Sequence, residues 1–251
     1  MNSSGNDDIS WKPTGQMGLS WLVAAAIASI VIWQLPFGDY LLYPFTILAT
    51  WFHEMGHGLM ALLLGGDFEQ LLIFPNGSGL AYHRGALFLG PIGRALVAAG
   101  GPMGPPLAGA IFILSSRRFQ TAHYSLLFLG SVLLISAAIW VRSLFGLIAI
   151  PLLGLLILAI ALKAPHWVQG FAIQFLGVQA CVSTFHQVDY LFTRMAVVGG
   201  RASLSDSGQI AQNLLLPYWF WGALMAIASL FLLVQSLRIA LADQKSIGHR
   251  A

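Results

Sequence analysis

Seven apolar stretches, at about residues 19–35, 41–64, 92–115, 124–141, 144–162, 167–194 and 214–238, divide this chain of 251 residues. A helix needs about 20 mostly apolar residues to cross the hydrocarbon core of a bilayer. In that solvent every backbone N–H and C=O must find its partner inside the protein, which restricts lipid-exposed spans to helices or closed barrels. The pattern predicts an all-α polytopic membrane protein with seven transmembrane helices, or six if 92–115 is not a full crossing. Glycines and prolines at 100–106 predict a bend or break in that segment. Composition agrees, since 57% of residues are hydrophobic and 8% charged, against about 25% charged in soluble domains. A soluble fold would have too little charge to cover its surface.

One integral membrane domain therefore covers 1–251, with a polar N-terminal tail at 1–18 and a polar C-terminal tail at 240–251. The N-terminal tail lacks the charged region and small-residue cleavage site of a signal peptide. The net charge of +3 is spread over scattered Lys and Arg near helix ends. This suits loops beside lipid headgroups and excludes the dense basic cluster of a nucleic-acid binder. A single cysteine, Cys181, rules out an intramolecular disulfide. The Lys and Arg counts on the two sides of the membrane are too even to set an orientation.

One interval breaks the apolar pattern. In residues 67–85, "FEQLLIF" and "GLAYHR" flank "PNGS". Strand-forming runs on either side of Asn76-Gly77 predict a β-hairpin after the second span. The later polar stretch "VVGGRASLSDSGQ" reads as a loop.

The second apolar stretch contains His53-Glu54-Met55-Gly56-His57, an H-E-x-x-H pattern. Helical residues four apart share one face, about 6 Å apart along the axis. Two imidazoles so placed can bind one zinc ion. Glu54 falls beside the metal without having to ligate it, where it can take a proton from a water and later pass one to a leaving amine. Ionisable groups within an apolar span are rare and point to function. Arg94 is another charge within an apolar run, placed to snorkel or to pair with a carboxylate.

Catalytic zinc takes three protein ligands and keeps one position open. The third ligand must come from elsewhere, and His186, Asp189 and Asp206 are the candidates, ahead of His83, His123 and His166. Gln179, Ser183, His186, Asp189, Tyr190 and Thr193 fall on one face of a helix over 167–194. Asp189 is the only carboxylate on that stripe and is the preferred ligand. His186, one turn earlier, is the alternative ligand or a supporting partner. Asp206 reads as a helix-start residue near the surface.

"HEMGHGLMALLLGG", with the hairpin "FPNGSGLAY" and the Gly-Pro-rich "AAGGPMGPPLAG", resembles the site-2 protease family of intramembrane zinc metalloproteases, in a small bacterial-type branch without a PDZ domain. The resemblance implies an aspartate ligand on a later helix, which maps best onto Asp189. It implies one Zn2+ per chain and cleavage of transmembrane protein substrates in or beside the lipid bilayer, here the bacterial cytoplasmic membrane. A substrate opened into an extended strand would add to the hairpin edge, at residues such as Leu80 and Tyr82. The competing reading is a non-proteolytic zinc sensor or transporter. A transporter would spread ionisable residues over several spans and often show an internal repeat, and neither pattern is present.

Overall fold

A computed structural model of the chain describes residues 26–248, apart from 28–30, 33 and 187. The N-terminal tail and most of the span expected at 19–35 lie outside the described residues. The rest is mainly helical with two small sheets. In chain order it runs α1 (Gly38–Leu63), β1 (Asp67–Ile73), β2 (Gly79–Arg84), α2 (Pro91–Ser115), α3 (Phe119–Ile139), α4 (Leu144–Lys163), α5 (His166–His186), α6 (Val188–Leu191), β3 (Met195–Val198), β4 (Arg201–Leu204), α7 (Asp206–Asn213) and α8 (Tyr218–Gly248). Helices α2, α3, α4 and the Tyr218–Ala240 part of α8 are long and apolar enough to cross a membrane. The C-terminal residues expected as a tail from 240 continue α8 as far as Gly248.

Helix α2 organises the bundle and packs against α1, α5, α7 and α8. It is unbroken, with Pro102, Pro105 and Pro106 inside it, which corrects the break expected there. All three prolines are buried, where neighbouring helices compensate for a missing backbone bond. The glycines serve proximity. In lipid there is little hydrophobic drive between helices, and small residues let backbones close together. A Cβ on Gly56 would lie 2.1 Å from the Gly100 carbonyl oxygen, and one on Gly104 would lie 2.3 Å from that of Phe52. Any side chain at these positions would push α1 and α2 apart.

The predicted hairpin is present and is tied to α1. Thr50 Oγ1 donates to the Gly77 carbonyl at 2.6 Å, and the Tyr43 hydroxyl donates to the Pro75 carbonyl at 2.6 Å. The outer edge of β1 is covered by the α3–α4 loop. Leu71 N–H donates to Trp140 O at 2.8 Å, and Arg142 N–H donates to Leu71 O at 3.0 Å. Leu71 thus turns both of its backbone groups away from β2. Its register partner is Ala81, so the two form a non-hydrogen-bonded antiparallel pair, and Ala81 also points its N–H and C=O outward. The residues on either side, Leu80 and Tyr82, face their backbone groups toward β1. The outward backbone groups of β2 are therefore those of Ala81, whereas Leu80 and Tyr82, the positions named from the sequence for a substrate strand, turn theirs toward β1.

The helix expected over 167–194 is described in two parts on either side of residue 187, α5 (His166–His186) and α6 (Val188–Leu191), and it stops at Leu191, short of the expected end. Thr193 Oγ1 donates to the Asp189 carbonyl at 2.7 Å, a local bond that competes with helix continuation. Met195–Val198 then enters a strand, as its β-branched residues favour. Gly199 (φ 57°) and Gly200 (φ 78°) join β3 to β4. Positive φ at both central residues is the requirement of a two-residue hairpin turn. The stretch read as a loop is therefore a second hairpin, and "VVGGRA" carried that signal.

Candidate metal centre

His53 and His57 sit one turn apart on α1, with ring centroids 4.9 Å apart. The second hairpin returns the chain so that α7 packs on α2. Ser205 caps α7, its Oγ accepting from the Gly208 N–H at 3.1 Å. The first residue of α7, Asp206, then faces the imidazoles. Its Oδ2 lies 3.0 Å from His53 Nε2 and its Oδ1 lies 3.3 Å from His57 Nε2. Among the described residues these three form the group whose donor atoms all fall within 4.8 Å of one another.

The donor set suits a divalent cation. His57 Nδ1 is 2.8 Å from the Val97 carbonyl oxygen. A carbonyl only accepts, so Nδ1 carries a proton, and Nε2, which faces Asp206, is the nitrogen that could bind a metal ion in place of its own proton. Asp206 is 2% exposed. Burial alone would favour its neutral acid, yet the charge of His57 and the hydrogen bonds from His53 and His57 hold the carboxyl well below the usual carboxylate range. A buried anion between two imidazoles requires positive charge there, which protons or a metal ion can supply. Two imidazoles and a carboxylate are the ligand types of catalytic zinc.

Glu54, 6% exposed, stands on the same helix turn and outside the three-residue group. The outward N–H of Ala81 bonds to its carboxylate. Strand β2 reaches it because position 79 is glycine, where a Cβ would lie 2.6 Å from Glu54 Cγ. The Tyr190 hydroxyl donates to Asp206 Oδ2 at 3.2 Å. These groups line a cavity of about 540 Å³ together with Gly79, Leu80, Ala81 and His83 of the first hairpin and Val198, Ser203 and Leu204 of the second. Both hairpins thus contribute to its walls.

The match to known families decides the class. The Peptidase M50B-like family matches residues 21–236. The chain belongs to that family. It is by family a membrane metalloprotease of the site-2 protease type, and its apolar helices fit an integral membrane protein. No curated protein and no solved structure matches the chain.

This Peptidase M50B-like chain brings together His53, Glu54 and His57 from the motif, but its neighbouring carboxylate is Asp206. Asp189, the ligand preferred from the sequence, lies on α6, is exposed and stands outside the three-residue group. The side chain of His186 lies outside the described residues. Asp206 does start a helix, as its sequence suggested, but it is buried and not near the surface. Leu80 lines the cavity, whereas Tyr82 is exposed and is not among the lining residues. His123 bonds Gln169 at 2.9 Å and His166 stacks on Phe119, so both have partners elsewhere. The sequence reading gave Tyr190 no part in the site.

The Gly-rich run also shapes the centre. A Cβ on Gly101 would fall 2.1 Å from His57 Nε2. Gly101→Ala must displace the ring, and a shift of about 1 Å in such a group costs on the order of 10²-fold in function. We expect metal affinity and peptidase activity to fall together in this variant. Gly170→Ala, where nothing lies within 4 Å, serves as the control. Metal titration of both proteins checks the expectation, and wild-type affinity in Gly101→Ala would refute it.

Proposed function

We propose that this chain is a zinc-dependent intramembrane endopeptidase, cleaving membrane-embedded or membrane-adjacent segments of transmembrane protein substrates in the bacterial cytoplasmic membrane. The observation that carries this reading is the convergence of His53, His57 and Asp206 beside a second buried acid, Glu54, in a cavity lined by strand β2. The bundle would span the membrane with α1, α2, α3, α4, α5 and α8, giving six spans, or seven with the segment at 19–35.

His53, His57 and Asp206 would hold the zinc, and Tyr190 would steady Asp206 through its hydroxyl. Zinc, when bound, supplies a Lewis acid that polarises a carbonyl and acidifies water. Glu54 accepts the proton of the attacking water and delivers it to the departing amine nitrogen. A peptide bond within a helix is shielded by its own hydrogen bonding, so the substrate must be opened before attack. The outward carbonyl of Ala81 on β2 receives the opened strand, beside Glu54, which the Ala81 N–H holds in place.

The reading is tested by zinc analysis of the purified protein. We expect one zinc per chain, lost in His53→Ala and in His57→Ala. Full stoichiometry in both variants would overturn the assignment. The strand edge has its own test. Ala81→Pro removes the one N–H that reaches Glu54 while leaving the β1 ladder intact. A hydrogen bond to a charged group contributes about 1.5–3 kcal/mol, so cleavage should fall by about tenfold or more with zinc content unchanged. Cleavage at the wild-type rate would exclude a role for that edge.

A further inference from the structure

Arg94 has no part in the chemistry above, yet it lines the same cavity as Glu54 and Asp206. Among the described residues it is the only Arg or Lys that does. It lies three residues before Val97 on α2, whose carbonyl fixes His57, so it is about 4.5 Å further along the helix axis. Its Nε donates to Asn213 Oδ1 at 2.5 Å. Asn213 Nδ2 donates in turn to the Gln209 carbonyl at 2.8 Å, which fixes the amide. The guanidinium is therefore oriented from α7. Among the described residues no carboxylate pairs with it, and the acids of the cavity are otherwise engaged, Asp206 with the histidines and Glu54 with Ala81. The placement does not serve the helix, because a cation in the first turn of α2 opposes the helix dipole.

We infer that Arg94 is a carboxylate-binding subsite of the substrate cleft, recognising an acidic side chain of the extended peptide. This rests on the peptidase reading. With Nε held by Asn213, the two Nη groups remain to form a fork, the geometry that binds a carboxylate through two parallel bonds. Asn213 is seven residues after Asp206 at the other end of α7, a rise of about 10 Å along that helix. An extended chain advances about 3.3 Å per residue. The recognised Asp or Glu is therefore a few residues from the scissile bond, a spacing that a positional set of peptides reads directly. A substrate with glutamate there satisfies Arg94, one with glutamine offers a single weak acceptor, and one with lysine meets repulsion.

The test uses the full-length chain in detergent and a set of fluorescent peptides of small and apolar residues, carrying one Glu, Gln or Lys at successive positions. Binding is measured first, by anisotropy, on zinc-loaded Glu54→Gln protein, where no turnover is needed. We expect the Glu peptide with the correct spacing to bind about tenfold or more tightly than its Gln counterpart. Adding Arg94→Glu should invert the order of the Glu and Lys peptides. The same peptides are then cleaved by protein with Glu54 intact, where the preference should appear in KM. Equal binding of Glu, Gln and Lys peptides at every position would overturn the subsite. So would an Arg94→Glu variant that weakens all peptides equally, the result expected if the guanidinium serves the fold or a lipid headgroup. A position-dependent Glu preference without cleavage would uphold the subsite and refute the peptidase. Failure of any peptide to bind would overturn both.

Discussion

In Asp206→Ala we expect zinc to be lost and cleavage to be abolished, while Asp189→Ala keeps both at wild-type level. Asp206 is the acid whose two oxygens lie 3.0 and 3.3 Å from the imidazole nitrogens, whereas Asp189 is exposed on a different helix. Removing the carboxylate leaves two neutral imidazoles to hold a dication in a buried site, with one ligand too few for a tetrahedral centre. Loss of a residue that merely supports a ligand costs about 10- to 100-fold in metal affinity, so loss of the ligand itself should exceed that range. Asp206→Asn is the informative companion. It keeps the size of the side chain and its place at the start of α7, but removes the negative charge that complements the cation. Metal analysis after extensive dialysis distinguishes the variants. If Asp206→Ala retains stoichiometric zinc and Asp189→Ala loses it, the assignment drawn from the geometry is wrong.

Glu54→Gln should separate binding from chemistry. Glutamine keeps the shape of the side chain and can still accept the Ala81 N–H through its amide oxygen, but it cannot take a proton at neutral pH. Glu54 stands outside the three-donor group, so zinc should remain at wild-type stoichiometry. Cleavage should fall by about 10² or more, the usual contribution of a positioned general base. Single-turnover assays with excess protein place the loss in the chemical step and exclude slow product release as its cause. Cleavage within a few-fold of wild type would show that another group moves the proton. Loss of zinc would show that Glu54 belongs to the ligand set.

Much of this could be read from the chain alone, for reasons that are local. A run of apolar residues must become a helix in lipid whatever surrounds it, so α2, α3, α4 and α8 announce themselves. Asn76-Gly77 between strand-forming runs fixes the first hairpin through turn chemistry confined to a few residues. His53, Glu54 and His57 meet because helical periodicity alone puts residues four apart on one face. The membrane metalloprotease class follows from that motif in that setting.

Tertiary structure decided the rest. The third member of the metal group depends on where the polypeptide returns, and the return is made by a second hairpin whose Gly199-Gly200 turn carries Asp206 to the imidazoles. From the sequence alone Asp189 was the stronger choice, since it is the only carboxylate on a polar helical stripe. The helical run stops at Leu191, Thr193 bonds the Asp189 carbonyl, and the following residues pair as a strand. Which edge of the first hairpin stays open was likewise undetermined, because Trp140 and Arg142, far along the chain, cover β1. The glycines of α2 looked like helix breakers and instead proved to be contact points, since a missing side chain acquires meaning only from the backbone or ring that occupies its space. Local patterns specify what depends on neighbours in sequence, and the closing of a metal site depends on neighbours in space.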